Sequence, residues 1–460
     1  MDINGCKFVP LKKRTGVKFT KILFSISFVS VIGSGYVIWN QFSLRPVPLE
    51  SVFPGKVWSK TIPQLPKLDG VGEPRAENCG KCHTEIYKEW QSSTHAHALS
   101  DLQFQAELSK PGQPEWICLN CHIPVQNQRE TRIEALNHGD FNRPIEAINP
   151  GFDLIMKNEA VTCATCHVRV DEVGKAYVLG GNGKTSPPHP VRIDQQKLRT
   201  RCLDCHNETY NLSSSLVCYF KTGDEMKEAQ PHFPGKDCVS CHLPDVKRSF
   251  VDGVLKKPIR NSHKHAFIGG GVPKEFSLYE KQIPGGYKPG VILNGWEQSK
   301  SEEIKITYQN ANAGHYVPSG DPERFLRLEL VFLDEAQREI EKKVSLIGQT
   351  WKWNPEAELV SENRLRPKET RIWKEKIPSN QVTKIIFRIY HVKLKETTSA
   401  YMSSSVKHAD PFIQTKISSL KENYPHSSII LESTFDLKSK RASETSLQEL
   451  FKRNEKRRGE

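Results

Sequence analysis

Cys79-Gly-Lys-Cys82-His83 opens, and Cys238-Val-Ser-Cys241-His242 closes, a stretch in which one pattern recurs five times. Between them stand Cys118-Leu-Asn-Cys121-His122, Cys163-Ala-Thr-Cys166-His167 and Cys202-Leu-Asp-Cys205-His206. Cys-x-x-Cys-His is the attachment pattern of covalent c-type haem. Two thiols three residues apart reach the two vinyl groups of one porphyrin, and the adjoining imidazole falls under the iron as its proximal ligand. A zinc ribbon needs such pairs to converge two at a time, and five leave one over. Neither zinc nor dithiol redox chemistry asks for a histidine after every pair. Five covalent haem c groups are therefore expected, and they account for ten of the twelve cysteines.

Working outward, successive motifs start 39, 45, 39 and 36 residues apart. That is less chain per cofactor than the roughly 70 residues below which a polypeptide core alone is seldom stable. The porphyrins must then form much of the apolar interior and lie near one another. The formal charge of +13 invites a search for nucleic acid or anionic lipid. Haem propionates, two on each porphyrin, would offset most of that excess, and no aromatic-interleaved basic motif points to nucleic acid.

At the N-terminus, Lys12, Lys13, Arg14, Lys18 and Lys21 lie in a basic segment, 1–21, ahead of an uncharged, mostly apolar run. Residues 22–40 are expected as one N-terminal transmembrane helix, with the remainder in the periplasm at a bacterial inner membrane. The rival reading is a cleaved signal ending near Gly33-Ser34-Gly35. Tyr36 to Trp39 prolong the apolar run past that point and favour the anchor. Prolines 46, 48, 54, 63, 66 and 74 make residues 41–75 read as an extended spacer. Residues 76–280 form the expected pentahaem block, mainly α and irregular, with loops wrapped round cofactors.

Beyond it the texture changes. Glu303 to Gln309, Phe325 to Phe332, Ile340 to Leu346, Glu369 to Ile377 and Val382 to Leu394 alternate apolar and polar residues. The pattern predicts an all-β, immunoglobulin-like sandwich over 281–437, followed by a basic mobile or helical tail, 438–460. Cys6 and Cys218 lie outside any motif and read as simple thiols.

The sixth position on each iron decides between a conductor and an enzyme. Met156, Met226 and Met402 are the only methionines besides the initiator, so His/Met ligation can serve few sites. Sixteen histidines, five of them proximal, leave eleven. His95 follows a short predicted helix after the first motif. His189 and His232 sit in Pro-Pro-His-Pro and Pro-His-Phe-Pro, where proline stiffens the segment. His265 precedes Phe267 and a run of glycines, and His315 occupies Ala-Gly-His-Tyr-Val-Pro-Ser-Gly. These five are the expected sixth ligands, with His97, His138 and His263 as substitutes. His391, His408 and His426 read as structural or exposed.

The first motif, with Trp90, Ser93 and His95 after it, resembles the first motif of the cytochrome c554-like multihaem cytochromes. That group is related to hydroxylamine oxidoreductase and pentahaem nitrite reductase. Asp237-Cys238-Val-Ser-Cys241-His242-Leu-Pro, Ser262-His263-Lys-His265-Ala-Phe267 and Ala313-Gly-His315-Tyr-Val-Pro-Ser-Gly320 also resemble it. The resemblance implies that His95 binds the iron of a neighbouring haem. The Cys-x-x-Cys-Lys of the nitrite reductases is missing, which counts against that activity. The expected role is an electron-transfer relay through mostly bis-His haems, serving redox partner proteins or a membrane quinol system. The alternative is an oxidoreductase with one substrate-accessible haem acting on a small nitrogen or sulfur compound.

Overall fold

The computed structural model describes residues 43–460 other than 113, 181–186, 212–216, 250, 252–258, 268, 270–287, 301, 353–354 and 457–460, and the side chains of 210, 211, 217, 218, 455 and 456 are also excluded. The predicted transmembrane segment, 22–40, and Cys6 lie outside the described residues, as does the Cys218 side chain. Among the described residues no helix is long and apolar enough to cross a membrane.

In the motif-bearing block the longest described helices, Thr84–Gln91, Glu115–His122 and Thr222–Ala229, have eight residues each. The five motifs all sit on single helical turns, ending in or just after short helices such as Cys163–His167 and Cys238–His242. His83 N–H reaches the Cys79 carbonyl at 2.8 Å and His206 N–H reaches that of Cys202 at 2.9 Å, so one turn presents both thiols and the imidazole together. Asp237 starts the last of these turns by accepting from the Ser240 N–H, while Ser240 Oγ accepts from the Asp237 N–H, a reciprocal cap. Buried side chains in this block gather in small groups, one around Leu65, Val125 and Met156 and another around Phe53, Trp58 and Trp116. By contrast, seventeen buried residues form a single cluster in the C-terminal region. Small, separate clusters are what the short chain per motif leads one to expect if cofactors complete the apolar interior.

The proline-bearing stretch expected as a spacer is instead packed into the block. Pro46–Val47 pairs with the strand Thr131–Asn137, Ile62 bridges to Val125, and Phe53, Trp58, Leu65 and Leu68 are buried. Its prolines break regular structure, but the apolar residues between them still bury.

The alternating segments form two antiparallel sheets. Val291–Gln298, Glu303–Asn310 and Thr370–Lys376 make the smaller sheet. The larger runs in the order Glu358–Glu362, Glu339–Lys352, Phe325–Leu333, Lys384–Val392, Ser427–Asp436, Arg441–Glu444. Alternate residues of each, such as Ile304, Ile306 and Tyr308 against Leu328, Leu330 and Phe387, close one core between the sheets. Helices Glu396–Ser405, Pro411–Ser418 and Leu420–Asn423 interrupt this region. They bury Met402, Ile417 and Leu420 against Ala106 of the helix Leu102–Leu108 in the motif block. The expected tail is also structural: Arg441–Glu444 is an edge strand, and Leu447–Lys456 is a helix that buries Leu450 and Phe451.

Candidate haem-binding site

Three motif imidazoles face a second imidazole from elsewhere in the chain. The ring centres of His95 and His206 stand 6.3 Å apart, those of His167 and His265 6.2 Å, and those of His242 and His315 6.3 Å. The ring planes are tilted by 44°, 36° and 9° respectively. With a metal–imidazole bond of about 2 Å and a nitrogen roughly 1.1 Å from its ring centre, two rings sharing one metal stand about 6 Å apart. Among the described residues no three His, Cys, Asp or Glu side chains converge as a zinc site would require. Pairs of imidazoles with thiols beside them fit an iron already held by a porphyrin.

Second contacts aim the rings. His167 Nδ1 lies 3.0 Å from the Leu179 carbonyl, His122 Nδ1 2.7 Å from that of Ala98, His265 Nδ1 2.9 Å from that of His263, and His315 Nδ1 2.8 Å from that of Tyr316. A backbone carbonyl at Nδ1 fixes the tautomer and leaves Nε2 to bind metal. Burial also keeps these rings neutral, the form a metal binds. It pushes His95 and His265 down to about 3, and His206 and His315 to about 4. Neighbouring imidazoles reinforce each of these shifts.

His95 N-terminal to its partner by over a hundred residues is held by its surroundings: its carbonyl accepts from Val161 N–H, and the Val161 carbonyl accepts from Trp90 Nε1 at 2.8 Å. His189 lies close enough to His83 for burial and the His83 charge together to lower its pKa. Its loop passes close to Gly70, where an added Cβ would lie 2.3 Å from the Pro188 carbonyl oxygen.

The remaining motif imidazole, His122, has a different neighbour. Phe104 stacks on it with ring centres 3.4 Å apart and planes parallel to within 1°. Every histidine of the chain is among the described residues, and none forms a ring pair with His122. His232, the expected fifth ligand, is exposed just past the helix Thr222–Ala229 and is not brought opposite a motif imidazole. The proline-stiffened segment around it lies on the surface, so stiffness alone was a poor guide. Of the substitutes, His97 Nε2 contacts the Gln91 carbonyl, His138 Nε2 contacts Ser43, and His263 Nδ1 contacts the Leu243 carbonyl and Asp245. His391 is buried in its strand, and His408 contacts Gln105.

The motif thiols define which sites adjoin. Cys79 meets Cys163, Cys205 meets Cys121, and Cys202 meets Cys238, while Cys166 lies near Cys205. The first motif thus neighbours the third, the third neighbours the fourth, and the fourth neighbours both the second and the fifth. No disulfide joins any of the ten.

Two supports were not legible beforehand. Glu89 and Glu225 are buried carboxylates beside the loops carrying His265 and His315. Acidic residues on short amphipathic helices give no local signal of that role.

Residues 78–140 match the family of cytochrome c554 and c-prime. No curated protein matches the chain. Among solved structures, a penta-heme cytochrome c552 from Thermochromatium tepidum is similar over 79% of this chain and 98% of that one, at 16% identity and a TM-score of 0.53. That likeness is one of fold.

Proposed function

We propose that this chain is a multihaem c-type cytochrome of the c554-like group, as its matching residues 78–140 and its fold support, and that it works as a pentahaem electron-transfer relay anchored in a bacterial inner membrane and facing the periplasm. The observation carrying this reading is the set of imidazole pairs 6.2 to 6.3 Å apart, which supports bis-His ligation of three irons. His189 beside His83 supports a fourth. Iron porphyrin supplies the one-electron chemistry, and the chain supplies ligands, spacing and burial. Covalent attachment at adjoining thiols holds the cofactors close. Two histidines held at each iron would give it the same ligands in both redox states, so little would rearrange when an electron arrives or leaves. Redox partner proteins or a membrane quinol system fit the two ends of such a path, and the apolar segment 22–40 supports the anchor.

A second reading has its own observation. His122 is flanked by Phe104 and by no second imidazole, so the second site is the candidate for an open position and for oxidoreductase chemistry on a small nitrogen or sulfur compound. One experiment separates the two. The ferric protein is titrated with nitrite, sulfite and, after reduction, carbon monoxide while its spin state is followed. A wholly low-spin protein indifferent to all three supports a pure relay. A high-spin signal removed by a ligand, and altered by Phe104→Ala, supports the second reading at His122.

A further inference from the structure

Two of the imidazoles that face a motif histidine are carried on loops, and each loop is held by the same device. Glu89, on the helix Thr84–Gln91, is buried; its Oε2 accepts the His265 N–H at 2.8 Å, and its Oε1 takes Arg248 Nη1 at 2.7 Å and Lys264 Nζ at 3.2 Å. Glu225, on the helix Thr222–Ala229, repeats the arrangement. Its Oε2 accepts the Tyr316 N–H at 3.1 Å and Ser319 Oγ at 2.8 Å, and its Oε1 takes Arg364 Nη1 at 2.7 Å. Glu225 and Arg364 are among the most enclosed charged side chains of the molecule, with 5% and 7% of their side-chain surface exposed.

A carboxylate taken out of water is costly unless charge and hydrogen bonds replace the solvent. Here the replacements are the backbone N–H of a ligand-bearing loop and an arginine. Moving the loop strips the carboxylate of a partner, so the carboxylate resists the movement. In the second case the partners belong to different halves of the chain. Glu225 lies in the motif block, whereas Tyr316, Ser319 and Arg364 belong to the β-domain. Thr222 Oγ1 with Ser319 Oγ, 2.8 Å, and Tyr316 Oη with Glu228, 2.8 Å, extend the same seam.

We propose that Glu89 and Glu225 are positioning residues for His265 and His315, and that Glu225 with Arg364 latches the β-domain onto the motif block so that the domain donates the sixth ligand of the fifth haem. The β-domain is then a working part of that site. This rests on reading His315 as a ligand, and the test keeps the two claims apart.

The assay uses the full haem-loaded chain. Ferric spin signals and carbon monoxide uptake after reduction are compared for His315→Ala, Glu225→Gln, Ser319→Ala and Glu89→Gln. The His242–His315 planes are near parallel and the His167–His265 planes are tilted by 36°; comparison of the signal lost in His315→Ala with that lost in His265→Ala assigns each site. His315→Ala should abolish the near-parallel signal and add one carbon monoxide site. Glu225→Gln should do the same in part. Ser319→Ala, which keeps the carboxylate and removes one donor, should shift the same signal by less and serves if Glu225→Gln does not accumulate. Glu89→Gln should disturb the His167–His265 signal and spare the other. If His315→Ala leaves all signals intact, the ligand reading fails. If His315→Ala acts while Glu225→Gln and Ser319→Ala leave the near-parallel signal and the carbon monoxide uptake unchanged, the latch is refuted. Equal loss of every haem signal in both glutamate variants would also refute it, by reducing both residues to general stability.

Discussion

Replacing Gly70 by alanine should open the first haem, and the magnitude follows from two separate costs. Gly70 has φ +73°, a left-handed conformation that costs an L-residue about 1–2 kcal/mol. A methyl group there would lie 2.3 Å from the Pro188 carbonyl oxygen and 2.8 Å from its carbon, backbone atoms with no side-chain freedom to yield. An ordinary carbon–oxygen contact is about 3.3 Å or more, so the Pro188–His189 segment must retreat by about 1 Å. A metal–ligand bond tolerates about 0.2 Å. On the proposed reading of His189 as the second ligand of the site at His83, it should therefore be drawn off, and the reduced protein should bind one more carbon monoxide than the parent. Gly72 supplies the control. Its φ is +93°, yet a methyl group there meets nothing within 4 Å. Gly72→Ala should carry the backbone cost, a fall in Tm of a few degrees for about 1–2 kcal/mol, without the new binding site. The assay is ferric spin state and carbon monoxide stoichiometry on both variants, with thermal unfolding alongside. A wholly low-spin Gly70→Ala protein, or equal carbon monoxide uptake by the two variants, would refute the assignment of His189.

His95→Ala should convert one low-spin signal, that of the pair tilted by 44°, to high spin, and leave the near-parallel signal in place; electron paramagnetic resonance reads both. Phe104→Ala removes a ring stack worth about 0.5–1.5 kcal/mol and should alter the affinity of His122's iron for added ligands more than any other site, as measured by carbon monoxide titration. The β-domain should respond to acid through Glu432. Burial alone would raise that carboxyl, but Arg388, Thr445 and Arg453 together hold it below its ordinary value. A depressed folded value contributes stability above the unfolded pKa of about 4.3, and that stability is lost as pH falls through the lower folded value. Thermal unfolding from about pH 6 downward should show this loss in the parent and a flatter profile in Glu432→Gln.

The sequence carried the chemistry of this molecule more clearly than its packing. Each Cys-x-x-Cys-His is a local pattern, and one helical turn suffices to display it. The strand pattern was equally plain, because Glu303–Asn310 buries every second residue as its alternation predicts. Partner imidazoles are another matter. His95 meets His206 across 111 residues of chain; Trp90 and Ser93 beside it marked His95 as a ligand through the resemblance, but nothing local named His206 as its partner. His232 shows the converse, since stiff local context drew attention to a side chain that the fold leaves in solvent. The prolines between Pro46 and Pro74 likewise concealed Phe53 and Trp58, whose burial depends on Trp116, distant in sequence. The carboxylate latches could be found only once distant backbone N–H groups were in place beside Glu89 and Glu225.

The imidazole pairs have one more consequence, for how the polypeptide comes to be folded at all. The partners are 111, 98 and 73 residues apart, so on the reading proposed here each iron closes a long loop, much as a cystine would. In the chain-entropy account a cross-link of that span restrains the denatured chain by about 4–5 kcal/mol for as long as the coordinate bond survives unfolding. Of the paired histidines His315 lies nearest the carboxyl terminus, well beyond the segment bearing His242. On that reading the loop closed through His315 is the last to be completed, and it waits on the carboxyl-terminal third of the chain.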